Sequence, residues 1–300
     1  MERISYHGWP ECFLLSNGRV EAVIVPAISR VMHFGLAGEP ESAFWENREL
    51  DGQRPTSGGG EWFNFGGDKS WPAPQSEWPE RTSRGWPPPQ AFDAGSAEAV
   101  AVKRGIVLTS PVDPAYGIQM LRTIELDPVR PVMRIETQYR KLYGSAVKVG
   151  IWTITQLREP ERILLWRPAI SRFPLGYRPL LEAKPAELKS RGRLLSLKRN
   201  PNISTKIGSD AESMAWVGKS CVLRIDAETG PGEYPDGGCV TEVYTNPDPQ
   251  KYVELETLGP LEKISVGGQI RRSTVYTVMP RRGPDAESEA EMLPFEAGRG

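Results

Sequence analysis

From Glu98 to Gln156 the chain repeats one pattern. Short stretches rich in β-branched and alternating residues, at roughly 99–109, 117–126, 131–142 and 146–156, are separated by Pro, Gly or Asp turns. A period of two between turn signals is what antiparallel strands joined by short links require, because successive side chains leave a strand on opposite faces. The same reading runs on in both directions. Cys12 to Leu15, Asn17-Gly18 and Val20 to Val25 predict a hairpin, since Asn-Gly adopts the positive φ angles of a two-residue turn, and Val31 to Leu36 predicts the next strand. Further strands are expected near 162–166, 192–198, 213–217, 220–226 and 239–245, with a closing strand from Ile270 to Met279. Only Ala183 to Arg191 has a helical case, and Pro185 weakens it. No Gly-rich turn leads from a strand into a long amphipathic helix, so there is no dinucleotide or phosphate-loop signature. The expectation is a single all-β domain over residues 1–280 and a flexible acidic tail, rich in small residues, over 281–300.

A chain of 300 residues, 39% hydrophobic and 25% charged, can bury a sizeable core and is not disordered throughout. Its formal net charge of −1 argues against a nucleic-acid partner, whose affinity depends on neutralising phosphates, and against an anionic membrane surface. No run of about eighteen apolar residues is present to span a bilayer. The start, Met1-Glu2-Arg3-Ile4-Ser5-Tyr6-His7, lacks the apolar stretch of a secretory signal, so a cytoplasmic location is expected. Cys12, Cys221 and Cys239 are odd in number, far apart and without a Cys-x-x-Cys pair. Neither a disulfide framework nor a metal site is expected, and no cofactor motif is found.

Between Asp51 and about Pro89 the sequence loses its period and becomes rich in Gly, Pro and Trp. A connection this long is either functional or disordered, and tryptophans at 62, 71, 78 and 86 favour function, because disordered segments are poor in aromatics. Its densest part, Phe65 to Pro79, reads as a loop built to present side chains. Gly66 and Gly67 let backbone approach a ligand, the prolines stiffen the segment, and Trp71 and Trp78 supply flat apolar faces with one N–H donor each. That is the chemistry of a sugar or other polyol site. The alternative is that Trp71 and Trp78 plug one end of a β-sandwich. Asp68 and Lys69, likewise, are either a local ion pair or part of a ligand wall.

Two strands carry polar groups on a mixed face. Ile151 to Gln156 sends Trp152, Ile154 and Gln156 to one side, as expected where a strand leaves the core and enters a pocket wall. Tyr252-Val253-Glu254-Leu255-Glu256 places Glu254 and Glu256 on one face and Val253 and Leu255 on the other. The two glutamates line either a pocket or the solvated face of an edge strand. Arg30, Glu46 and Asn47 lie at predicted strand ends beside the same region, with turn and salt-bridge roles as alternatives.

These stretches together resemble a known family. Asn17 to Leu36, with its Val-Ile-Val-Pro-Ala-Ile-Ser-Arg run, looks like the opening strands of the galactose mutarotase superfamily. Gly66-Gly67-Asp68-Lys69-Ser70-Trp71-Pro72-Ala73-Pro74-Gln75, Ile151-Trp152 through Gln156, and Val253-Glu254-Leu255-Glu256 with Gly259-Pro260 resemble its DUF4380-type bacterial branch. The resemblance spans roughly residues 10–280. It implies a large antiparallel β-supersandwich with a sugar-sized cleft on one sheet and, in that cleft, the interconversion of sugar anomers. A base takes the proton of the anomeric hydroxyl while an acid protonates the ring oxygen. In the family a late Glu is the base and a His the acid. By position Glu256 matches the base, with Glu254 as the alternative two residues away. Histidine is missing where the family has it: the chain holds only His7 and His33, while Lys69 stands near one family histidine position and Gln156 near the other. The resemblance therefore implies Glu256 and Lys69 as proton-transfer groups and Asp68, Trp71, Gln75, Trp152, Gln156, Glu254 and Arg30 as sugar contacts. The other readings are a sugar-binding module without catalysis and a sandwich whose aromatic loop serves protein contacts.

Overall fold

The computed structural model describes residues 1–39, 42–55 and 61–289, which form two large antiparallel sheets packed face to face. Across the first sheet the strands run in the order Glu2–Tyr6, Trp9–Ser16, Val20–Val25, Arg30–Leu36, Asp68–Ala73, Val147–Arg158, Tyr252–Leu258, Thr241–Thr245, Thr205–Ser209 and Arg178–Pro179, with Glu262–Ile264 added beside Val147–Arg158. Across the second the order is Ala186–Arg191, Leu194–Lys198, Arg162–Trp166, Ser213–Val217, Cys221–Ala227, Gln269–Pro280, Val132–Lys141, Ile118–Leu126, Gly105–Asp113 and Glu98–Val102.

The predicted alternation accounts for these strands. Each sends one row of apolar side chains between the sheets, where Ile24, Val31, Phe34, Ile124, Ile135, Leu157, Leu165, Leu223, Val253, Leu255 and Val278 form one buried cluster. Full burial of each such side chain is worth about 1.5–3 kcal/mol. Cys12, Cys221 and Cys239 are buried. Among the described residues no helix is long and apolar enough to cross a membrane.

Four expectations are corrected. The stretch 99–109 is two strands, Glu98–Val102 and Gly105–Asp113, because Lys103-Arg104 turns the chain. Ala183 to Arg191 yields the strand Ala186–Arg191 rather than a helix, because it pairs with Leu194–Lys198 in a hairpin that follows Pro185. The third correction concerns the centre of the first sheet. Asp68–Ala73 is a buried strand and not a loop: Trp71 pairs with Trp152, Ser70 with Thr153 and Lys69 with Ile154. Pro72 is tolerated there because the strand's other edge meets Arg30–Leu36 only at Val31 and Asp68, so its missing N–H interrupts no ladder. The glycines before it serve that packing. A Cβ on Gly66 would come within 2.2 Å of the Trp45 carbonyl oxygen and one on Gly67 within 2.5 Å of the Val31 oxygen, so the close approach they permit is to backbone.

Finally, the start of the expected flexible tail is docked. Ala286 packs with Leu164, Ala215, Val217 and Val222, Glu287 pairs with Arg162 at 3.2 Å, and the buried Glu289 accepts from the Arg282 N–H at 2.7 Å. Residues 290–300 of that tail lie outside the described residues, as do 56–60 within the long Trp-rich connection.

Candidate functional site

The outer face of the first sheet, turned away from the second, carries three rows of side chains in strict register. Directly paired residues share a face. The first row is Lys69, Ile154, Glu256, Glu242, Gly208 and Arg178. Beside it run Gln156, Glu254, Tyr244 and Lys206. A third row, Trp71, Trp152 and Leu258, is apolar.

The ionic groups of the first two rows meet across them. Lys206 Nζ bridges Glu242 Oε2 at 2.6 Å and Glu256 Oε2 at 3.0 Å, and the Trp152 indole N–H donates to the same Glu256 oxygen at 2.7 Å. Lys69 Nζ lies 3.4 Å from Glu254 Oε1 and 4.9 Å from the centre of the Trp71 ring. Lys206 Nζ is 4.7 Å from the centre of the Trp152 ring. A lysine between a carboxylate and an aromatic face keeps its charge partly compensated without water. Burial dominates the titrations. It lowers Lys69 from the ordinary lysine value and raises Glu256 and, further, Glu242, with Lys206 only partly offsetting the rise. Lys206 itself is raised, because Glu256 and Glu242 outweigh its own burial.

Aromatic rings wall one side. Trp71 and Trp152 meet edge to face at 5.3 Å, and Trp62, Trp78 and Trp86 extend the cluster. On the other side Trp45 lies tilted against Tyr252, ring centres 4.6 Å apart, with Tyr244 next to it. Gln156 lies between these walls. Both atoms of its buried carboxamide, and the buried Asn64 Oδ1, lack any hydrogen bond of normal geometry, although both amides stand close to the Tyr252 hydroxyl. The strip opens to solvent at the sheet edge, where Arg178 is exposed; nearer its centre Lys206, whose side chain is 19% exposed, and Glu254, at 12%, reach solvent. A cavity of about 30 Å³, room for a single water, lies off to the side among Pro55, Trp62, Arg84, Pro87 and Asp93 rather than over Glu256.

Six of the nine sequence candidates thus converge: Lys69, Trp71, Trp152, Gln156, Glu254 and Glu256. The other three do not join the rows. Asp68 points between the sheets, where the Arg122 guanidinium, the Thr155 hydroxyl at 2.8 Å and the Tyr276 hydroxyl at 2.5 Å bind its carboxylate. Adjacent residues of a strand face opposite ways, so Asp68 and Lys69 cannot share a wall. Arg30 is buried beside the strip, donating to the Gly66 carbonyl at 2.8 Å and to Asp93 at 2.7 Å; Asp93 also accepts the Trp71 N–H at 2.9 Å. Its part is to hold Trp71 in place. Gln75 stands exposed on the short turn Gln75–Glu77, past the end of the strand.

Glu46 and Asn47 belong to a neighbouring seam. Tyr6 donates to both Glu46 oxygens at 2.9 and 3.0 Å, Arg48 pairs with Glu46 at 3.0 Å, and burial pushes its carboxyl up to about 7. The Asn47 side chain caps the following turn by accepting the Glu49 N–H. Sequence reasoning missed Glu242, Tyr244 and Lys206. The alternation Thr241-Glu242-Val243-Tyr244-Thr245 carried the same signal as Glu254 and Glu256; the strand holding Lys206 is too short and Gly-containing to announce itself.

The two histidines supply no cation at neutral pH. Burial, with Arg158 and Arg48 nearby, pushes His33 down to about 4, and His7 is lowered by burial and by Arg48. Proton NMR should show two histidine titrations, both below the ordinary value near 6.5, with His33 midway at about 4. Since the folded chain binds this proton less readily than the unfolded one, His33 costs stability progressively as pH falls from 6.5 towards 4. A His33 midpoint at or above 6.5 would contradict the burial assigned to it.

No family model and no curated protein matches this chain. Solved structures do. A galactose mutarotase-like protein from Lactobacillus casei superposes with a TM-score of 0.61 at 8% identity, over 89% of this chain and 100% of that one. A galactose mutarotase related enzyme from Lactobacillus acidophilus gives 0.57 at 9% identity, over 89% and 97%. An Escherichia coli protein described as a candidate aldose 1-epimerase gives 0.56 at 10% identity, over 90% and 99%. At such identities the likeness shows architecture alone: the chain has the galactose mutarotase-like fold, all β, built on two large antiparallel sheets.

Proposed function

We propose that this chain is a carbohydrate-binding protein of the DUF4380-type branch of the mutarotase superfamily, and that its outer strip takes a sugar and interconverts the anomers. The observation that carries the reading is the Gln156 carboxamide, fully buried between aromatic walls with no hydrogen bond of normal geometry and only the Tyr252 hydroxyl close by, opposite Glu254 and one row from Lys69 and Glu256. Buried polar atoms are nearly always paired, so a site that leaves them open awaits a polar ligand. A sugar ring supplies both hydroxyls for the amide and an apolar C–H face for tryptophan. The solved structures of the same fold include proteins described as mutarotase-related and as aldose 1-epimerase, which supports this ligand class.

Lys69 and Glu256 stand on either side of Ile154. Two strand spacings set their backbones about 10 Å apart, so their side chains can close on one ring from opposite ends. Glu256 takes the proton of the anomeric hydroxyl and Lys69 gives one to the ring oxygen. The C1–O bond breaks, the aldehyde turns about C1–C2, and reclosure returns both protons. The burial that lowers Lys69 makes it a better donor, and the burial that raises Glu256 makes it a better base. Access to Glu256 runs past Lys206, whose four-carbon stem is flexible. This covering also favours the second reading, a sugar-binding module without turnover.

Gln156→Leu tests the binding claim. Removing an unsatisfied buried amide should leave the protein as stable or about 1 kcal/mol more so, while sugar affinity falls at least about tenfold. Thermal melts and calorimetry over a panel of aldoses read the two effects. Lower stability with unchanged affinity would make Gln156 a structural residue and remove the site.

A further inference from the structure

Glu242 has no place in the chemistry above, yet it is buried in the strip and held by the same lysine as Glu256. It lies directly opposite Glu256, on the same face and at 1% exposure. Both carboxyls give their Oε2 to Lys206, both leave Oε1 buried without a donor, and the two groups stand within hydrogen-bond reach of each other. We propose that Glu242 and Glu256 share a single proton that resides on Glu242, forming a carboxyl–carboxylate dyad clamped by Lys206, and that Glu242 thereby keeps Glu256 ionised as the base.

Charge and hydrogen bonding lead to the same count. Two buried carboxylates against one ammonium would leave an uncompensated negative charge, whereas one proton makes the trio neutral. That proton also gives the pair the donor that its two orphaned Oε1 atoms lack, as in any pair of carboxyls too close for both to ionise. Burial favours the proton on Glu242, since Glu256 accepts the Trp152 N–H and Glu242 has no such donor. The groups that face the pair are Lys206, Glu254 on the neighbouring row, Asp236 and Cys239 beyond Glu242, and Tyr244. Glu242 is a positioning residue. It acts on the sugar only through Glu256.

The functional clause rests on the reading of Glu256 as base; the shared proton does not, and the test separates them. Infrared spectra of the whole protein are compared at pH 8.5, where Glu46 is largely ionised and leaves the protonated-carboxyl carbonyl band to the dyad. Wild type should show the band. Glu242→Gln and Glu256→Gln should each abolish it, because the remaining carboxylate pairs with Lys206 alone, and Lys206→Met should strengthen it. A wild-type spectrum without the band, or a band that survives both glutamine variants, would overturn the dyad. For the functional clause, Glu242→Leu, which has no proton to give, should lower anomer exchange at least about tenfold, Glu242→Gln, which mimics the protonated carboxyl, should restore most of that rate, and Glu256→Gln should lose at least about a hundredfold. Wild-type exchange in Glu242→Leu, or no recovery in Glu242→Gln, would overturn Glu242 as the group that keeps Glu256 ionised. If wild type binds sugar without exchange, the catalytic reading and the functional clause fall together, and the band alone decides the dyad.

Discussion

Arg122→Met is expected to destabilise the protein by about 3–5 kcal/mol, the cost of stranding a buried charge. Arg122 and Asp68 have no exposed side-chain surface, and their contact lies between the two sheets. The guanidinium also donates to the Asp68 backbone oxygen at 3.1 Å, so it holds the Asp68–Ala73 strand against the second sheet. Without it, Asp68 keeps the hydroxyls of Thr155 and Tyr276 but no cation. Denaturant unfolding measures the loss, and the double variant Asp68→Asn with Arg122→Met should cost less than Arg122→Met alone. A loss below about 1 kcal/mol in the single variant would show that the pair does not join the sheets as described. Because Lys69 is the next residue of the same strand, the loss should also loosen the strip on its other face.

Lys206→Met should destabilise by a similar amount, about 3–5 kcal/mol at pH 8, and by much less near pH 5. The sign follows from the direction of the shifts. Burial raises Glu242 and Glu256 above the ordinary 4.5, and removing their shared cation raises them further. A carboxyl raised in the folded state stabilises when protonated and loses that contribution as pH climbs from 4.5 through its folded value. The variant therefore unfolds more easily at each step from pH 5 to pH 8. A loss independent of pH would mean that Lys206 acts by packing on Trp152 rather than by compensating the two carboxyls.

How much of this was legible depended on whether period or isolated residues carried the signal. Alternation alone placed Glu254 and Glu256 on one face and Trp152, Ile154 and Gln156 on another, and pairing brings those faces together. Asp68–Ala73 was illegible as a strand because Gly66, Gly67, Pro72 and Pro74 speak for a loop. It forms because strands on both sides supply the packing that its own propensity lacks. The error carried Asp68 and Gln75 into the candidate site, since a loop can aim neighbouring side chains together and a strand cannot. Arg30 was placed on the right side of the sheet, but its guanidinium is taken up by Gly66 and Asp93 and not turned to the rows. Glu242 could have been read from its alternation. Lys206 could not, because its meaning comes from two carboxylates distant in sequence.

The central claim is that the strip holds and converts a sugar. Anomer exchange followed by NMR on a panel of aldoses, with wild type and Glu256→Gln side by side, tests it most directly. Wild type should accelerate exchange of at least one aldose, and Glu256→Gln should lose about a hundredfold or more of that acceleration while calorimetry still detects binding of the same sugar. Binding and exchange both absent in wild type, or exchange unchanged in Glu256→Gln, would contradict it.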